Sequence, residues 1–489
     1  MRYIDSLTGT IYRIVTMTTW LPDLSRDNGP LYLELANRIQ QDIESGSLPA
    51  GVKLPPQRNL AFDIGVTVGT VSRAYAVVRE RGLVTGEVGR GTFVASRETG
   101  VPNGQLPITL RPPGGYHEEA RADVIRLDSS AAFSEAGAAE IRPLLAEVSR
   151  DGCDEMAGYV RGIEPDWRKA GADWIALGSR WRPEEENVLP TSGAQGALIS
   201  IIAGATNPGD RIACEALTFA GVPRSAQLIG RGAVSVAIDE KGILPESFET
   251  VCAQQHPRLL FLMPAVHTPL TVALSPERRR AIIEIARRYN VLIIEDHLYA
   301  SVTPDPYEPI AALAPDITFH IGGLSKAVAA GLRAGWVATP AHMTARVWSA
   351  QKMLTGGSSY LLSDMAARMV NSGAAMDVRT RVREEIARRV TVMRTVFEGC
   401  DIKIRDYTPF AWLKLPEPWL SGTFKAAAYE EKVRIDDEDE FKAGRGDQRF
   451  HGVRVAFAAM AKDIETMEIG ARRLRRLLDA GPAAYHSYN

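Results

Sequence analysis

The sequence predicts two domains of different fold class: a small, mainly helical domain with a β-hairpin, followed by a large α/β domain. Three observations lead to this prediction. Residues 30–94 carry three helical patterns and then two short β-rich stretches around a glycine-rich tip. Residues 95–122 have little periodicity and many breakers, which is typical of a linker. From about residue 124 onward, β-rich segments alternate with helical patterns, as in a sheet covered by helices on both faces.

The composition is that of a globular protein and excludes several other classes. The 489 residues are 45% hydrophobic and 24% charged, with a formal net charge of −2, so DNA binding would need a local basic surface. The four cysteines form no CxxC pair, which predicts reduced thiols and no cysteine-based metal site. Because neither a signal peptide nor an apolar run of membrane-spanning length is visible, we expect a cytoplasmic protein without a membrane partner.

The first domain is predicted element by element. Apolar residues recur at helical spacing from Pro30 to about Gly46, and a short second helix starts at Pro56. A third helix begins at Thr67, whose hydroxyl can cap the first turn. The stretches around residues 83–94 then form a hairpin. Together these elements make a winged helix-turn-helix, in which the third helix enters the major groove of DNA.

The same residues resemble the GntR family of bacterial regulators. The match covers about 65 residues, and its many motifs occur in order at fixed spacing. The resemblance implies that double-stranded operator DNA is a partner. The matching segments are Pro30-Leu31-Tyr32, the Gly46-x-Leu-Pro-x-Gly-x-x-Leu-Pro run, Arg58-x-Leu-Ala, Gly65 to Val71, Ala74-Tyr75 and Gly89 to Val94.

Six residues are candidates for DNA contacts. Arg73, on the outer face of the third helix, is placed to reach a guanine edge or a phosphate, whereas Arg58 and Thr70 suit phosphate. Arg90 and Gly91 put a cation and unobstructed backbone at the wing tip. Spacing alone favours a solvated surface charge for any single arginine, and the resemblance reverses that preference. The full set is Arg58, Thr67, Thr70, Arg73, Arg90 and Gly91.

In the second domain, the most informative segment runs from Gly322 to Gly335 and follows an apolar strand. It resembles the Schiff-base region of fold-type I pyridoxal-phosphate aminotransferases. The resemblance implies that Lys326 forms the internal aldimine and that Arg333 grips the cofactor phosphate. The family often has serine where this chain has Gly323, so one phosphate-binding hydroxyl is missing, and Ser325 with backbone amides is the expected substitute.

Further segments match the same family in the correct order. The backbone amides of Ala194 and Gln195 are expected to bind the phosphate at a helix N-terminus. Phe219 takes the place of the aromatic residue that stacks on the pyridine ring. Asp296 is expected to hold the pyridine nitrogen protonated, and Tyr299 to bond the 3′-oxygen. Each residue taken alone has a commoner structural explanation, and their order over about 360 residues makes coincidence improbable.

The remaining site candidates depart further from the family pattern. Thr268 stands where the family usually has an asparagine that donates to the 3′-oxygen. Arg454 resembles the arginine that binds a substrate's α-carboxylate. His267 and His297 are expected to serve packing or hydrogen bonding, with no metal site, because no third ligand is apparent. The acidic run 436–440 is expected to be a solvated loop.

The two resemblances together are those of the MocR subgroup of GntR-type regulators. We therefore expect an N-terminal extension over 1–27, a winged helix-turn-helix over 28–96, a linker over 97–123 and an aminotransferase-like domain over 124–485. The resemblance implies that the large domain has the fold of type I pyridoxal-phosphate-dependent transferases, with a smaller C-terminal α+β subdomain, and that the protein forms a homodimer.

The expected function is transcription regulation, with an amine or amino acid sensed through an external aldimine. The alternative is an active aminotransferase that carries a DNA-binding domain and uses Lys326 as its proton-transfer base. A third possibility is an aminotransferase fold that serves only dimerisation, against which the retained Lys326, Asp296 and Arg333 argue.

Overall fold

The computed structural model describes most of the chain. The described residues are 3–4, 11–12, 20–22, 30–49, 51–81, 83–87, 91–94, 123–131, 134–444, 448–458 and 463–486. The chain divides into two compact units, Met1–Arg111 and Pro112–Asn489. Apart from Asp123, the predicted linker 97–123 lies outside the described residues.

The described residues of the first unit form three helices and two strand pairs. A short pair joins β1 to β2, and the antiparallel pair β3–β4 is the predicted hairpin. The bounds are β1 Tyr3–Ile4, β2 Ile11–Tyr12, α1 Leu31–Glu44, α2 Gln57–Asp63, α3 Val68–Glu80, β3 Val84–Glu87 and β4 Gly91–Val94. Helix, short helix, helix and hairpin follow one another as expected, so the prediction of a winged helix-turn-helix is confirmed.

This unit has its own hydrophobic core, which the helical spacing predicts. Leu35 and Ile39 of α1 pack with Leu60 of α2 and with Val71 and Tyr75 of α3, all fully or almost fully buried. The Tyr75 hydroxyl donates to a backbone carbonyl in the segment that connects α1 to α2, 2.8 Å away. The third helix is thereby fixed against the rest of the unit, with its outer face left to solvent.

The second unit alternates strands and helices. Its strands are β5 Ile125–Arg126, β6 Asp128–Ser129, β7 Val188–Thr191, β8 Arg211–Glu215, β9 Gly232–Val236, β10 Ile238–Asp239, β11 Gly242–Ile243, β12 Leu259–Leu262, β13 Leu292–Asp296, β14 Thr318–Gly323, β15 Gly335–Ala338, β16 Ile402–Lys403, β17 Phe410–Lys414, β18 Val433–Arg434, β19 Asp436–Asp437 and β20 Gly452–Phe457.

The helices of this unit cover the strands. They are α4 Ser134–Asp151, α5 Cys153–Ala157, α6 Pro165–Ser179, α7 Gly193–Ala205, α8 Gly221–Leu228, α9 Pro245–Gln255, α10 Pro276–Tyr289, α11 Ile310–Leu313, α12 Thr344–Thr355, α13 Tyr360–Asn371, α14 Ala374–Val396, α15 Ser421–Glu430 and α16 Ile464–His486. As expected, Ser275 caps α10 by accepting from the Arg278 backbone N–H. Within the described part of the chain, no helix is long and apolar enough to cross a membrane.

A seven-stranded sheet forms the centre of the second unit. Its strand order is β7-β15-β14-β13-β12-β8-β9, and only β15 runs antiparallel to its two neighbours. Strand β15 therefore begins at the edge where β7 and β14 end: Gly335 is paired with both Thr191 and Gly323. Residues that follow β7 and β14 and those that precede β15 consequently meet at one place, which is where open α/β sheets bind ligands.

A smaller sheet lies in the C-terminal part and fits the predicted α+β subdomain. Strand β20 is its centre, with β17 and β19 antiparallel beside it and β6 paired in parallel. Strand β16 pairs with β17 at the edge. The segment before α4 is thus part of this sheet, although it lies more than 300 residues earlier in the sequence.

The packing of α6 on the large sheet depends on Gly171. A methyl group there would overlap the Trp336 ring and lie 2.7 Å from the Val188 side chain. We expect Gly171→Ala to lower the free energy of unfolding by about 1–3 kcal/mol, because these buried groups cannot move freely. Gly162→Ala, with no other atoms within 4 Å of the added methyl, is the matched control. Urea unfolding followed by tryptophan fluorescence would contradict this packing argument if both variants had the same midpoint.

Candidate functional site

The recognition helix of the first unit begins as predicted. Thr67 caps α3 by accepting from the Thr70 backbone N–H at 3.2 Å, and the two hydroxyls lie 2.9 Å apart. Thr67 is exposed and Thr70 is half-buried. Thr70, a predicted phosphate contact, therefore lies with Thr67 at the N-terminus of a helix, where partial positive charge favours anions.

Arg73 is held in place by an aromatic ring. Its guanidinium lies over the Tyr32 ring, 4.5 Å from the centroid, while the arginine stays exposed. Such a cation–π contact restricts the side chain without neutralising its charge. Tyr32 belongs to the quoted Pro30-Leu31-Tyr32 motif, yet sequence reasoning gave it no function. Arg58 is exposed on α2.

The wing can be followed only in part. Gly91 begins β4, where it pairs with Glu87. Arg90 lies outside the described residues, so its predicted contact is not tested.

In the second unit, the Lys326 amine lies beside Ser130 and the Tyr299 ring. Its Nζ donates to Ser130 Oγ at 3.3 Å and lies 4.9 Å from the centroid of the Tyr299 ring. Ser130 Oγ is in turn 2.6 Å from the Tyr299 hydroxyl. Sequence reasoning missed Ser130, because it lies beside the predicted linker in a segment without a recognisable motif.

Charges around Tyr299 affect its acidity. The ring is buried and packs edge-on against Phe410, with centroids 5.1 Å apart. Burial disfavours the phenolate, but the cations of Lys326 and Arg454 outweigh it and hold the pKa of Tyr299 below its usual value. The hydroxyl is therefore a strong hydrogen-bond donor.

Asp296 ends β13 on the same edge of the sheet. Its Oδ1 accepts from the Leu298 backbone N–H at 3.0 Å. Desolvation raises the pKa of Asp296 to about 6, against the opposing effects of that hydrogen bond, Lys326 and His297. The carboxylate is still mostly ionised at neutral pH, and a cationic ring nitrogen beside it would stabilise that form further.

An anion cradle forms where α7 begins. The backbone of Gly193 is left-handed at φ 71°, and a Cβ built there would lie 3.6 Å from the Arg333 guanidinium. A side chain at 193 would therefore fill the space between the helix N-terminus and that cation. Ala194 and Gln195 occupy the first turn of α7. The side-chain Nε2 of Gln195 donates to Ser225 Oγ at 2.6 Å.

The missing serine at 323 leaves room. A Cβ built on Gly323 would come no closer than 3.4 Å to its neighbours, so a hydroxymethyl group would fit there. Ser325 is half-buried next to Lys326. The prediction that backbone amides, Arg333 and Ser325 contact the phosphate at this edge stays a prediction.

Phe219 and Thr268 flank the edge from two loops. Phe219 is 37% exposed. The buried Thr268 hydroxyl faces the Tyr299 hydroxyl without a hydrogen bond of normal geometry among the described residues. An unsatisfied buried hydroxyl beside Tyr299 is suited to a further polar ligand atom.

The two uncertain histidines serve hydrogen bonding. His267 Nε2 lies 3.1 Å from the Leu217 carbonyl, and His297 Nε2 lies 3.1 Å from Asp305 Oδ2. Across the residues described by the structure, no three His, Cys, Asp or Glu side chains are grouped to bind a metal ion.

Arg454 lies on β20 and forms an ion pair with Asp436 of β19. Its Nη2 is 2.6 Å and its Nε 3.2 Å from Asp436 Oδ2, and Nη2 also donates to the Asp128 carbonyl at 3.2 Å. The expectation of a solvated loop over 436–440 was wrong. Asp436 and Asp437 form a strand, Glu438 is buried, and lysines pair with the carboxylates of this run.

The residues at this edge fit pyridoxal phosphate. The cradle at Gly193 and Arg333 suits a phosphate, Asp296 suits a protonated ring nitrogen, and the Lys326 amine lies beside Ser130 and the Tyr299 ring. The Phe219 ring lies next to Gly221, as does the side chain of Gln195 at the start of α7.

Comparison with known proteins agrees with this arrangement. Residues 123–474 match the aminotransferase class I and II family, and residues 31–94 match the bacterial regulatory proteins of the gntR family. The HTH-type transcriptional regulator YdeF of Bacillus subtilis is 30% identical over 470 residues, covering 94% of this chain and 97% of YdeF. The vitamin B6 salvage pathway transcriptional repressor PtsJ of Salmonella typhimurium is 28% identical, covering 68% of this chain and 73% of PtsJ.

Among solved structures, the kynurenine aminotransferase of Pyrococcus horikoshii shares the fold of the second unit. The TM-score is 0.66 at 22% identity, with 73% of this chain and 91% of that chain covered. Winged helix-turn-helix and aminotransferase fold together define a class of two-domain bacterial regulators. The chain belongs to the aminotransferase class I and II family and, through its N-terminal domain, to the GntR family, in the combination found in the MocR subgroup.

A buried carboxyl group beside the site gives a pH prediction. Burial raises the pKa of Glu215 to about 8 and lowers that of His267 to about 4, so both are mostly neutral at pH 7, with Oε2 and Nε2 3.4 Å apart. An unfolded glutamate ionises near pH 4.3. Between these values the folded state holds a proton that the unfolded state has lost, so Glu215 makes stability fall as pH rises.

Glu215→Gln should remove this dependence. We expect the variant to gain stability relative to wild type between pH 5 and pH 8, as measured by urea unfolding at both pH values. Glu284→Gln, at an exposed glutamate of α10, is the control and should follow the wild type. A difference between Glu215→Gln and wild type that stays constant with pH would contradict the neutral buried carboxyl.

Proposed function

We propose that this protein is a transcription regulator that binds operator DNA through its winged helix-turn-helix and senses a small amine or amino acid through pyridoxal phosphate in its second unit. One observation carries the proposal: Lys326, Tyr299, Asp296 and the Arg333 cradle all lie at one edge of the large sheet. A fold kept only for dimerisation would not need this set of residues.

Pyridoxal phosphate, when bound, supplies an aldehyde that reacts with primary amines and an electron-withdrawing ring. Arg333 and the α7 N-terminus would hold its phosphate, and Asp296 would keep a proton on its ring nitrogen. Tyr299 would donate to its 3′-oxygen. Lys326 would present its amine to the aldehyde, with Ser130 fixing the position of Nζ.

An active aminotransferase remains the alternative. Three features favour sensing. The first two are Gly323 and Thr268, because each removes a cofactor contact that the enzyme family commonly has. A third feature is that Arg454 is already paired with Asp436. The name of PtsJ, a transcriptional repressor, also supports a regulatory function. We further propose a homodimer, since fold-type I sites are usually completed by two subunits and two DNA-binding domains suit an operator with two half-sites.

Lys326→Ala tests the proposal. The wild-type protein should show a visible absorbance band that borohydride reduction fixes covalently, and the variant should lose it because no lysine amine then meets the aldehyde. A ligand that shifts the wild-type band should change operator affinity by about 1–3 kcal/mol, and the variant should not respond.

Lys414→Ala, at an exposed lysine of β17, is the control and should retain both the band and the response. An unchanged reducible band in Lys326→Ala would refute the cofactor assignment. Rapid turnover of the ligand with unchanged DNA affinity would favour the aminotransferase instead.

Substitutions on α2 and α3 test the DNA contacts. Arg73→Ala should weaken specific operator binding by about 1–3 kcal/mol, because Tyr32 holds the guanidinium ready on the outer face of α3. Arg58→Ala should weaken binding to all sequences more evenly, as expected for a phosphate contact. Fluorescence anisotropy with operator and scrambled duplexes separates the two effects. Arg79→Ala, in the last turn of α3, is the control, and equal affinities of all variants would leave these arginines as surface charges.

A further inference from the structure

The Asp436–Arg454 pair restricts what the second unit can bind. A guanidinium grips a carboxylate in a bidentate way through either of two edges, Nε with Nη2 or Nη1 with Nη2. In Arg454 the first edge is turned to Asp436 Oδ2, at 3.2 Å from Nε and 2.6 Å from Nη2. Nη2 makes a second bond to the Asp128 carbonyl at 3.2 Å. Since Nη2 belongs to both edges and uses both of its protons, neither edge can grip a ligand carboxylate in a bidentate way without breaking one of these bonds.

The strand register maintains this pairing. Asp436 and Arg454 are direct partners across the antiparallel strands β19 and β20. The Asp128 end of β6 pairs in parallel with the next stretch on the same side of β20, because β17 occupies the other side. The side chains of Arg454 and Asp436 are only 12% and 14% exposed. Lys425 further fixes β19 by binding Asp437 and Glu440. The pair is therefore built into a sheet and is not the chance position of an exposed side chain.

The charges around Arg454 also disfavour a ligand carboxylate there. Asp436 stabilises the guanidinium charge and raises the pKa of Arg454, against the effect of burial. A ligand carboxylate brought to Arg454 would meet the Asp436 carboxylate as a like charge. Moving Asp436 aside would leave a carboxylate unpaired in a mostly buried position, which costs more than an ordinary surface rearrangement.

We infer that the ligand of the second unit is a primary amine without a carboxylate on its α-carbon, and that Asp436 selects against α-amino acids by occupying Arg454. This inference rests on the proposed function, because it assumes that a ligand amine reacts at the site of Lys326. Ser130 stands next to that amine site. The buried Phe410 and Phe441 rings pack against the Arg454 guanidinium and help to keep it beside Asp436.

The experiment compares amino acids with the amines that remain when their carboxylate is removed. The probes are L-phenylalanine with 2-phenylethylamine and L-lysine with 1,5-diaminopentane, titrated into full-length protein loaded with pyridoxal phosphate. Calorimetry and visible absorbance give the affinities. We expect wild type to bind the amine of at least one pair about tenfold more tightly than its amino acid. The reason is that the carboxylate of the amino acid would have to break one charge-assisted contact between Arg454 and Asp436.

Substitutions of Asp436 test whether its ion pair with Arg454 causes the preference for amines over amino acids. Asp436→Asn keeps the shape but removes the negative charge, so the ratio of amino-acid to amine affinity should rise about tenfold. Asp436→Ala serves the same purpose if the first variant folds poorly. Asp439→Asn, at an exposed carboxylate of the same run, should keep the wild-type ratio.

Two results would be decisive against the inference. Wild-type protein that binds both amino acids at least as tightly as the amines, and loses that affinity in Arg454→Gln, would show that Arg454 does clamp carboxylates. The proposed function would then survive unchanged. If neither amines nor amino acids change the heat or the absorbance of a protein that carries the cofactor, the proposed sensing function fails, and this inference fails with it.

Discussion

The strand directions of the large sheet determine the whole site. Because β15 alone is antiparallel, its first residue lies at the edge where β7 and β14 end. Lys326 after β14, Gly193 after β7 and Arg333 before β15 are brought together by this topology alone, over a stretch of 140 residues. Asp296 joins them because β13 is parallel to β14 and ends at the same edge. Local interactions then only adjust the side chains.

Behind this edge, buried charges hold the strands in position. Glu295 precedes Asp296 on β13 and faces the opposite side, where it bonds to His320 and to the backbone N–H groups at the start of α11. His297 bonds to Asp305, which Arg279 grips through two bonds. Buried charges are tolerated when every partner is satisfied, and they are costly to rearrange. The network thus fixes the backbone on both sides of Asp296, so that the direction of its carboxylate is set before any ligand binds.

The sequence predicted the features that depend on neighbouring residues, and it missed those that depend on contacts between distant segments of the chain. The periodicity of α1, α3 and α10, the cap at Thr67 and the strands around Asp296 and Lys326 depend on neighbouring residues, and the fold class could be predicted from them. Ser130 and Asp436 could not be found in this way, because each gains its contacts through β20, which pairs with segments far apart in the chain. The acidic run was misjudged for the same reason: its charge indicates a solvated loop, whereas its partners lie on β20 and α15.

The segment 123–131 connects the candidate ligand site to the small sheet. Its Ser130 contacts Lys326 and Tyr299, and its Asp128 carbonyl accepts from Arg454. The Asp128 carboxylate is held by Arg126 and Arg434, so the segment is fixed at both the ligand site and the small sheet. It is also the first described part of the chain after the predicted linker. The segment that follows the predicted linker is therefore bonded directly to two candidate site residues, Lys326 and Arg454.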